Sequence, residues 1–285
     1  MRPCLVLVPF RGRNAYINNT NRMLSKYYDV ISWEYLEKHP LLFFRLKGIY
    51  LNWIENTITP LQKAKLILMR LCGKKVVWVF HNSMPHEHQD RAKSTKNYIF
   101  MAHISSHILI HSRNSLPVIK KLLSPHQKTP ITYVEHVNYI GCYPEQNGEA
   151  PRDRLGIKKD QFVFLFTGSI RPYKNIEIMI RAFRKAALPN AVLLIAGYAC
   201  DKAYADSLTT MIGSDPTIRF EEGIIPDDSM CAYLSAANVM VLSHSKISVL
   251  NSGMMIMAFS YALPVITTDI AMAQDFPSDI LWKYT

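Results

Sequence analysis

The fold this sequence predicts is α/β, with two tandem, doubly wound, Rossmann-like domains. Three observations predict it. From residue 162 onward, short apolar runs alternate strictly with helical patterns. The same alternation runs less cleanly through the first 140 residues. The length, 285 residues, is long for one compact core and comfortable for two domains of ordinary size.

In the first half, strand candidates fall at residues 5–8, 29–32, 48–51, 76–80, 108–111 and 131–134, with helical stretches between most of them. The start is basic and then apolar, like a leader peptide. Its apolar segment is short, however, and Arg11 and Arg13 follow at once, so 5–8 reads as a first buried strand. The polar stretch 141–156, with its prolines and glycines, is the natural boundary, dividing a domain of 1–145 from one of 146–285. In the second half Phe162–Thr167 is a continuous apolar run, as expected of a strand buried on both faces of a parallel sheet. Ile176, Met179, Ile180 and Phe183 then recur at helical spacing. A strand at 192–196, a helix at 203–212, a strand at 218–220, a helix after Pro226 and a strand at Val239–Leu242 follow. A helix at 250–261 and a strand at 264–266 come last. Only a short tail remains, so the second domain is expected to lack closing helices, as a truncated or divergent member of its class would. Two such domains imply a cleft lined by the carboxyl ends of both sets of strands.

Composition is that of an ordinary globular protein, 49% apolar and 19% charged, with no apolar run near the length of a spanning helix. Cys4, Cys72, Cys142, Cys200 and Cys231 are widely scattered, which argues against a disulfide framework or a zinc site and for a reducing cytosol. Charge is lopsided. Residues 1–150 hold 20 Lys+Arg against 9 Asp+Glu, a net of +11, whereas 151–285 hold 13 of each. A one-sided basic domain points to an anionic partner: nucleic acid, an anionic membrane surface or a phosphorylated substrate.

The segment from Phe164 to Lys174 carries the sharpest chemistry. A strand that stops at Gly168 and releases Arg171 and Lys174 just before a helix suits a diphosphate: cations and helix N–H groups would face it together. A surface turn with two solvated cations would look the same. Further on, Asn251-Ser252-Gly253 at a helix start offers backbone amides and a hydroxyl to phosphate, or simply a helix cap. In the first half His81 and Asn82 end a buried strand, with His86 and Glu87 close behind; imidazole and carboxylate can act as acid, base or hydroxyl-orienting groups. No metal is expected there, since His-Glu-x-x-His and cysteine partners are missing. His136 and Asn138 stand just before the boundary, placed either to reach the cleft or to satisfy backbone groups. The stretch 60–71 is a basic amphipathic helix candidate, and 41–47 interleaves apolar residues with cations. Such segments lie on anionic bilayers, or else form a core-facing helix with a solvated basic face. Nucleic acid is not expected, as no recognition helix or aromatic sheet signature is present.

Taken together, these residues resemble the nucleotide-sugar glycosyltransferases of the GT-B fold, family 4 and its relatives in bacterial surface polysaccharide synthesis. Gly168-Ser-Ile-Arg-Pro-Tyr-Lys-Asn175 is similar to the family's donor-diphosphate loop, implying that Arg171 and Lys174 bind the phosphates. Residues 215–228 resemble the strand and loop near the donor base, with Gly223 and Ile225 where the backbone meets it. Tyr233-Leu-Ser-Ala-Ala-Asn238 and Leu263-Pro-Val-Ile266 complete the order. His81 stands where the family often places a histidine beside the donor sugar. Two departures stand out. Counting back from Pro264, Val249 and Met257 occupy the places of two glutamates that contact donor sugar and ribose. The early glycine-rich acceptor loop is altered to Pro9-Phe-Arg-Gly-Arg-Asn14. Retention or inversion at the sugar therefore stays open.

The resemblance implies a metal-independent transferase on the cytosolic face of the membrane, with no cofactor and a UDP- or GDP-sugar as donor. The acceptor would be a hydroxyl of a saccharide, lipid-linked in surface polysaccharide synthesis. Arg171 and Lys174 would stabilise the departing diphosphate, and Ser252 and Gly253 would cradle it. His81 would sit beside the sugar, Glu87 would be the base if the reaction inverts, and the basic first domain, Arg11 and Arg13 included, would hold the acceptor and meet the membrane. The alternatives are a degenerate GT-B partner of an active transferase, favoured by the missing glutamates, and a sugar-nucleotide epimerase of the same fold.

Overall fold

The computed structural model describes residues 2–10, 15–54, 58–83, 91–143, 150–245 and 249–284, with the backbone alone at 91–93 and 150. The chain divides into two compact units. Unit 1 comprises Met1–Val137 with Ile247–Asn251, and unit 2 comprises Asn138–Lys246 with Ser252–Thr285. The main division falls between Val137 and Asn138, a few residues before the stretch 141–156.

Unit 1 holds strands β1 (Cys4–Val8), β2 (Asp29–Ile31), β3 (Leu46–Leu51), β4 (Lys75–Phe80), β5 (His107–Ile110) and β6 (Ile131–Tyr133). Its helices are α1 (Ala15–Leu24), α2 (Trp33–Lys38), α3 (Pro60–Leu71), α4 (Arg91–Ile104) and α5 (Leu116–Lys120), with a 3-10 helix at Pro40–Arg45. All six strands are parallel, in the order β2-β1-β3-β4-β5-β6. Local chemistry sets several boundaries. Strand β2 stops before Ser32 because that hydroxyl accepts the Tyr35 N–H at 3.1 Å and caps α2. Thr59 and Gln62 form a reciprocal capping box that starts α3.

Unit 2 holds β7 (Phe162–Thr167), β8 (Ala191–Gly197), β9 (Ile218–Glu222), β10 (Val239–Leu242), β11 (Val265–Thr268) and β12 (Leu281–Tyr284). Its helices are α6 (Ala150–Arg154), α7 (Ile176–Ala186), α8 (Lys202–Ile212), α9 (Asp227–Ala236) and α10 (Gly253–Ser260). These strands too are parallel, in the order β12-β11-β10-β7-β8-β9. Every residue of β8 is buried, as its unbroken apolar run requires of a strand covered on both faces. Phe166, Leu193 and Ile195 from the sheet pack with Ile176, Met179 and Ile180 of α7 and Leu208 and Ile212 of α8. Asp201 accepts the N–H groups of Ala203 and Tyr204, fixing the start of α8.

Two expectations are corrected here. The helix expected at 250–261 begins at Gly253, because Ser252 takes the cap position and accepts the Met255 N–H at 3.3 Å. The tail is also more than a tail. It supplies a 3-10 helix at Ala271–Asp275 and a sixth strand, β12, whose Leu281 to Tyr284 pair with Val265 to Thr268.

Candidate functional site

In unit 2 the strand order reverses between β7 and β10. Right-handed crossovers on opposite faces leave a crevice at the carboxyl ends of such a pair, and open parallel sheets bind ligands there. The loop after β7 carries Gly168, Arg171 and Lys174, and the loop after β10 is bound to it. The Ser245 N–H donates to the Tyr173 carbonyl at 2.8 Å, the Ser243 hydroxyl donates to the Lys174 carbonyl, and Asn175 Nδ2 donates to the Ser243 carbonyl at 3.0 Å. Instead of running straight from strand to helix, the loop makes a 3-10 turn at Pro172–Lys174 and a left-handed residue at Asn175 (φ 49°), and α7 then begins at Ile176.

That turn folds Lys174 inward. Its side chain is buried and its ammonium stands 5.3 Å from the centre of the Phe166 ring. Burial first, then the charge of Arg171, pushes its pKa down from 10.5 to about 8. Arg171 is half-buried on the same turn. Gly168, at φ 115°, keeps the floor open: a Cβ there would stand 3.4 Å from Lys174 Nζ. Gly197 ends β8 beside it, where a Cβ would fall 1.8 Å from the Gly168 carbonyl oxygen. The arrangement is a cation held against an open backbone at the switch point, chemically able to accept an anionic group.

At the end of β9 lies a cavity of ≈ 370 Å³ whose lining includes Arg154, Glu221, Glu222, Gly223, Ile225 and Tyr233. Gly223 donates its N–H to the Gly197 carbonyl at 2.9 Å, with open space on its Cα. The Tyr233 hydroxyl donates to Glu221 at 2.6 Å. Ser252 caps α10, and Gly253 is the first residue of that helix. Met257 is buried on α10, so an apolar side chain fills the place of the expected carboxylate.

In unit 1 the sheet gathers three histidines. Phe80 pairs with Ile110, and Ile110 with Tyr133, so His81 and His111 emerge side by side from β4 and β5, with His136 just beyond β6. Ring centroids are 5.3 Å apart for His81 and His111 and 5.0 Å for His111 and His136. Tyr16, at the start of α1, touches all three rings, and Trp53 stacks on His81 at 5.0 Å. His111 Nδ1 faces the Val134 carbonyl at 2.8 Å and must carry the proton, so Nε2 accepts from the Tyr16 hydroxyl at 2.9 Å. His136 Nδ1 likewise donates to the Val137 carbonyl at 2.8 Å, and His81 Nε2 meets Asn52 Oδ1 at 3.3 Å. Burial, then the neighbouring imidazoles, holds His81 well below the usual 6.5. The same two causes take His136 down to about 3, and burial lowers His111. The cluster is a neutral hydrogen-bonding set.

Three further residues belong to this unit. Asn82 forms an antiparallel bridge with Val249, which is buried. Asn251 sends Nδ2 to the His81 carbonyl at 2.8 Å and the Phe80 carbonyl at 3.4 Å. The three residues Asn251, Ser252 and Gly253 are therefore split: Asn251 belongs with β4 in unit 1, and the other two belong to unit 2. Asn138, in unit 2, uses its side chain to accept the Ile140 N–H at 3.3 Å. Arg11, Arg13, His86 and Glu87 lie outside the described residues. Tyr16, Asn52, Trp53 and His111 were not among the residues singled out from sequence, although Asn52, Trp53 and His111 directly follow strand ends and were findable on that ground. Among the described residues no group of three or more His, Cys, Asp or Glu side chains is placed to hold a metal ion.

Comparison with known proteins gives this geometry its context. Residues 148–278 match the family model described as glycosyl transferases group 1. The chain is 24% identical over 265 residues to a GDP-mannose:glycolipid 4-beta-D-mannosyltransferase of Xanthomonas campestris pv. campestris, covering 87% of this chain and 70% of that one. Among solved structures it superposes on Anabaena HepE, crystallised with UDP and glucose, with a TM-score of 0.69 at 14% identity, over 100% of this chain and 86% of that one. Sucrose-phosphate synthase from Thermosynechococcus elongatus gives 0.70 at 14% identity, over 99% and 86%. These two likenesses establish the fold. With a group 1 glycosyl transferase domain over residues 148–278 and two Rossmann-like sheets, the chain is a glycosyltransferase of the GT-B fold.

Proposed function

We propose that the chain transfers mannose from GDP-mannose to a hydroxyl of a lipid-linked saccharide, working at the cytosolic face of a membrane. The acceptor oxygen attacks the anomeric carbon, the bond from that carbon to the diphosphate breaks, and GDP departs with the electron pair. The observation that carries this reading is Lys174, a buried ammonium held beside Gly168 at the switch point of unit 2, with Arg171 on the same turn. Charge grows on the diphosphate as the bond breaks, and two fixed cations stabilise that charge more than the ground state. They take the part a metal ion would otherwise play.

Support for guanine comes from the cavity at β9. Glu222 stands exposed on its lining, and a carboxylate can accept from N1–H and the amino group of guanine together. Uracil offers one N–H between two carbonyl oxygens, which a carboxylate repels. The relatives that use GDP-mannose point the same way. His81, neutral and buried, would give or accept a hydrogen bond at the sugar, and Glu87 would take the acceptor proton if the reaction inverts. The match to a transferase family favours this reading over a degenerate partner or an epimerase.

Titration calorimetry with GDP and UDP tests it, on the wild type and on Arg171→Ala/Lys174→Ala. GDP should bind more tightly than UDP, and the double substitution should weaken GDP by about 100-fold or more. Tight GDP binding that survives the double substitution would remove the central claim.

A further inference from the structure

We propose that the outer face of α3, the 3-10 helix Pro40–Arg45 and the cation-lined cavity beside them form one docking surface for an anionic lipid bilayer. This deepens the lipid-linked reading above and rests on it for its biological sense.

The helix α3 is turned against the usual rule. On a wheel of about 100° per residue, Leu61, Ala64, Ile67, Leu68 and Leu71 share one arc of about 120°. All five are exposed, and only Leu66 and Met69 are buried. The cations Lys65, Lys63 and Arg70 flank that arc on its two sides, half-buried, instead of occupying it; Lys65 is paired with Glu37, and Lys63 stands 5.2 Å over the Phe100 ring. A helix facing water has the opposite order. One lying on a bilayer has this one, with leucines directed at the acyl chains and long basic side chains reaching the headgroups.

The 3-10 helix adds a second apolar edge. Residues three apart eclipse each other in that geometry, so Leu41 and Phe44 project together. They are 79% and 82% exposed, and Leu71 at the end of α3 is 80% exposed. Between Phe44 and the turn that follows Leu71 opens a cavity of ≈ 630 Å³, lined by Arg2, Arg45, Lys47, Lys74 and their neighbours. The Arg45 guanidinium pairs with Asp29 at 2.7 Å, and Arg2 donates to the Ser25 carbonyl at 2.8 Å. Lys74 stands 4.9 Å over the Phe43 ring, and Lys47 is exposed. Lys47 and Lys74 therefore offer the cavity ammonium groups for a lipid phosphate. The cavity lies where β1, β3 and β4 begin, whereas Asn52 and His81 follow the ends of β3 and β4. Docking by this face leaves the histidine end of the sheet uncovered.

Charge selects the occupant. The net +11 of the chain is carried by residues 1–150, and an apolar patch rimmed by lysines and arginines complements a bilayer surface rich in phosphate. A partner protein or a second copy would have to bring an acidic rim, and unit 2, with 13 Lys+Arg against 15 Asp+Glu, has a net charge of only −2.

Co-sedimentation with vesicles of phosphatidylcholine, alone or with phosphatidylglycerol, tests the surface, with GDP affinity measured on the same preparations. Wild type should bind the phosphatidylglycerol vesicles at ~50 mM salt and lose most of that binding at ~500 mM, where the Debye length is only a few ångströms. Phe44→Ser/Leu68→Ser/Leu71→Ser should lower partitioning by about tenfold or more with GDP affinity unchanged. Lys47→Ala/Lys74→Ala should abolish the preference for phosphatidylglycerol. The inference is overturned if wild type ignores these vesicles, if the triple variant binds as wild type does, or if sedimentation velocity shows a dimer that the triple variant dissolves. If GDP binding is intact while vesicle binding is absent, docking fails and the transferase reading stands. Vesicle binding without GDP binding gives the reverse.

Discussion

The two units share an architecture and differ in what they bury at the ends of their strands. Unit 2 buries Lys174 at a switch point, with His244 after β10, and unit 1 gathers three imidazoles, His81 and His111 buried and His136 half-buried. The physical push is the same in both cases, since desolvation disfavours the charged form. Its outcome differs because the starting values differ. Lys174 falls from 10.5 to about 8 and remains a cation at neutral pH. His136 falls from 6.5 to about 3 and is neutral there, as are His81 and His111. Burial thus makes unit 2 a fixed positive charge and unit 1 a neutral hydrogen-bonding cluster, whereas the excess positive charge of the first half stays near the surface.

The sharpest way to break this contrast is Lys174→Met, which keeps the bulk and removes the charge. Turnover of GDP-mannose should fall by about 10³-fold in kcat/KM, or ~4 kcal/mol, far more than any single exposed lysine of unit 1 would give. The wild type should also lose GDP affinity as pH rises through about 8, where the free lysine gives up its proton; affinity unchanged from pH 7 to 9.5 would sink this assignment.

Next in size is a matched pair of glycines. A Cβ on Gly197 would meet the Gly168 carbonyl oxygen at 1.8 Å, and one on Gly48 would meet the Lys75 carbonyl oxygen at 2.2 Å. Gly197→Ala should cost about 3 kcal/mol or more and take diphosphate binding with it, since Gly168 must move. Gly48→Ala should destabilise the sheet of unit 1 by ~2 kcal/mol and leave nucleotide affinity intact. Chemical denaturation followed by calorimetry on each variant separates the two outcomes.

Acid should divide the units in turn. The histidines of unit 1 have folded pKa values below the unfolded value, so the unfolded chain takes up more protons as pH falls. Their contribution to stability is therefore full above about 6.5 and is lost below it, by up to ~1.4 kcal/mol per pH unit for each buried imidazole. Thermal melts from pH 7.5 to 4.5 should show a steep loss that His136→Gln reduces; identical slopes in both proteins would refute the assignment. The smallest effect is Tyr16→Phe, which removes the donor to His111 and should cost ~1 kcal/mol with a detectable change in the histidine NMR titration.

Much of the fold was legible because its cause is local. Continuous apolar runs mark β7 and β10 to the residue, and the spacing of Ile176, Met179 and Ile180 marks α7. The loop that carries Gly168, Arg171 and Lys174 was legible too, because a strand, a glycine and two cations lie within a dozen residues. Other features were hidden by physics that is not local. Strand β12 is short and carries exposed Trp282 and Lys283, so only pairing with β11 makes it a strand. The helix at α10 reads as longer than it is because Leu250 continues its apolar pattern, yet Val249 and Asn251 satisfy unit 1. On α3 the amphipathic period was plain and its orientation was not: a wheel with apolar residues on more than one side does not say which arc the core takes.

Sequence alone determined the strands, the alternation that makes two doubly wound sheets, and the residue types available for chemistry, since all of these follow from near-neighbour periodicity and side-chain character. Tertiary structure decided which of those residues meet. Strand order brought the loops after β7 and β10 together, parallel register set His81 beside His111, and a 3-10 turn carried Lys174 into the interior. Those outcomes depend on pairings between residues tens of positions apart, and their energies come from burial and backbone closure that no short window of sequence contains.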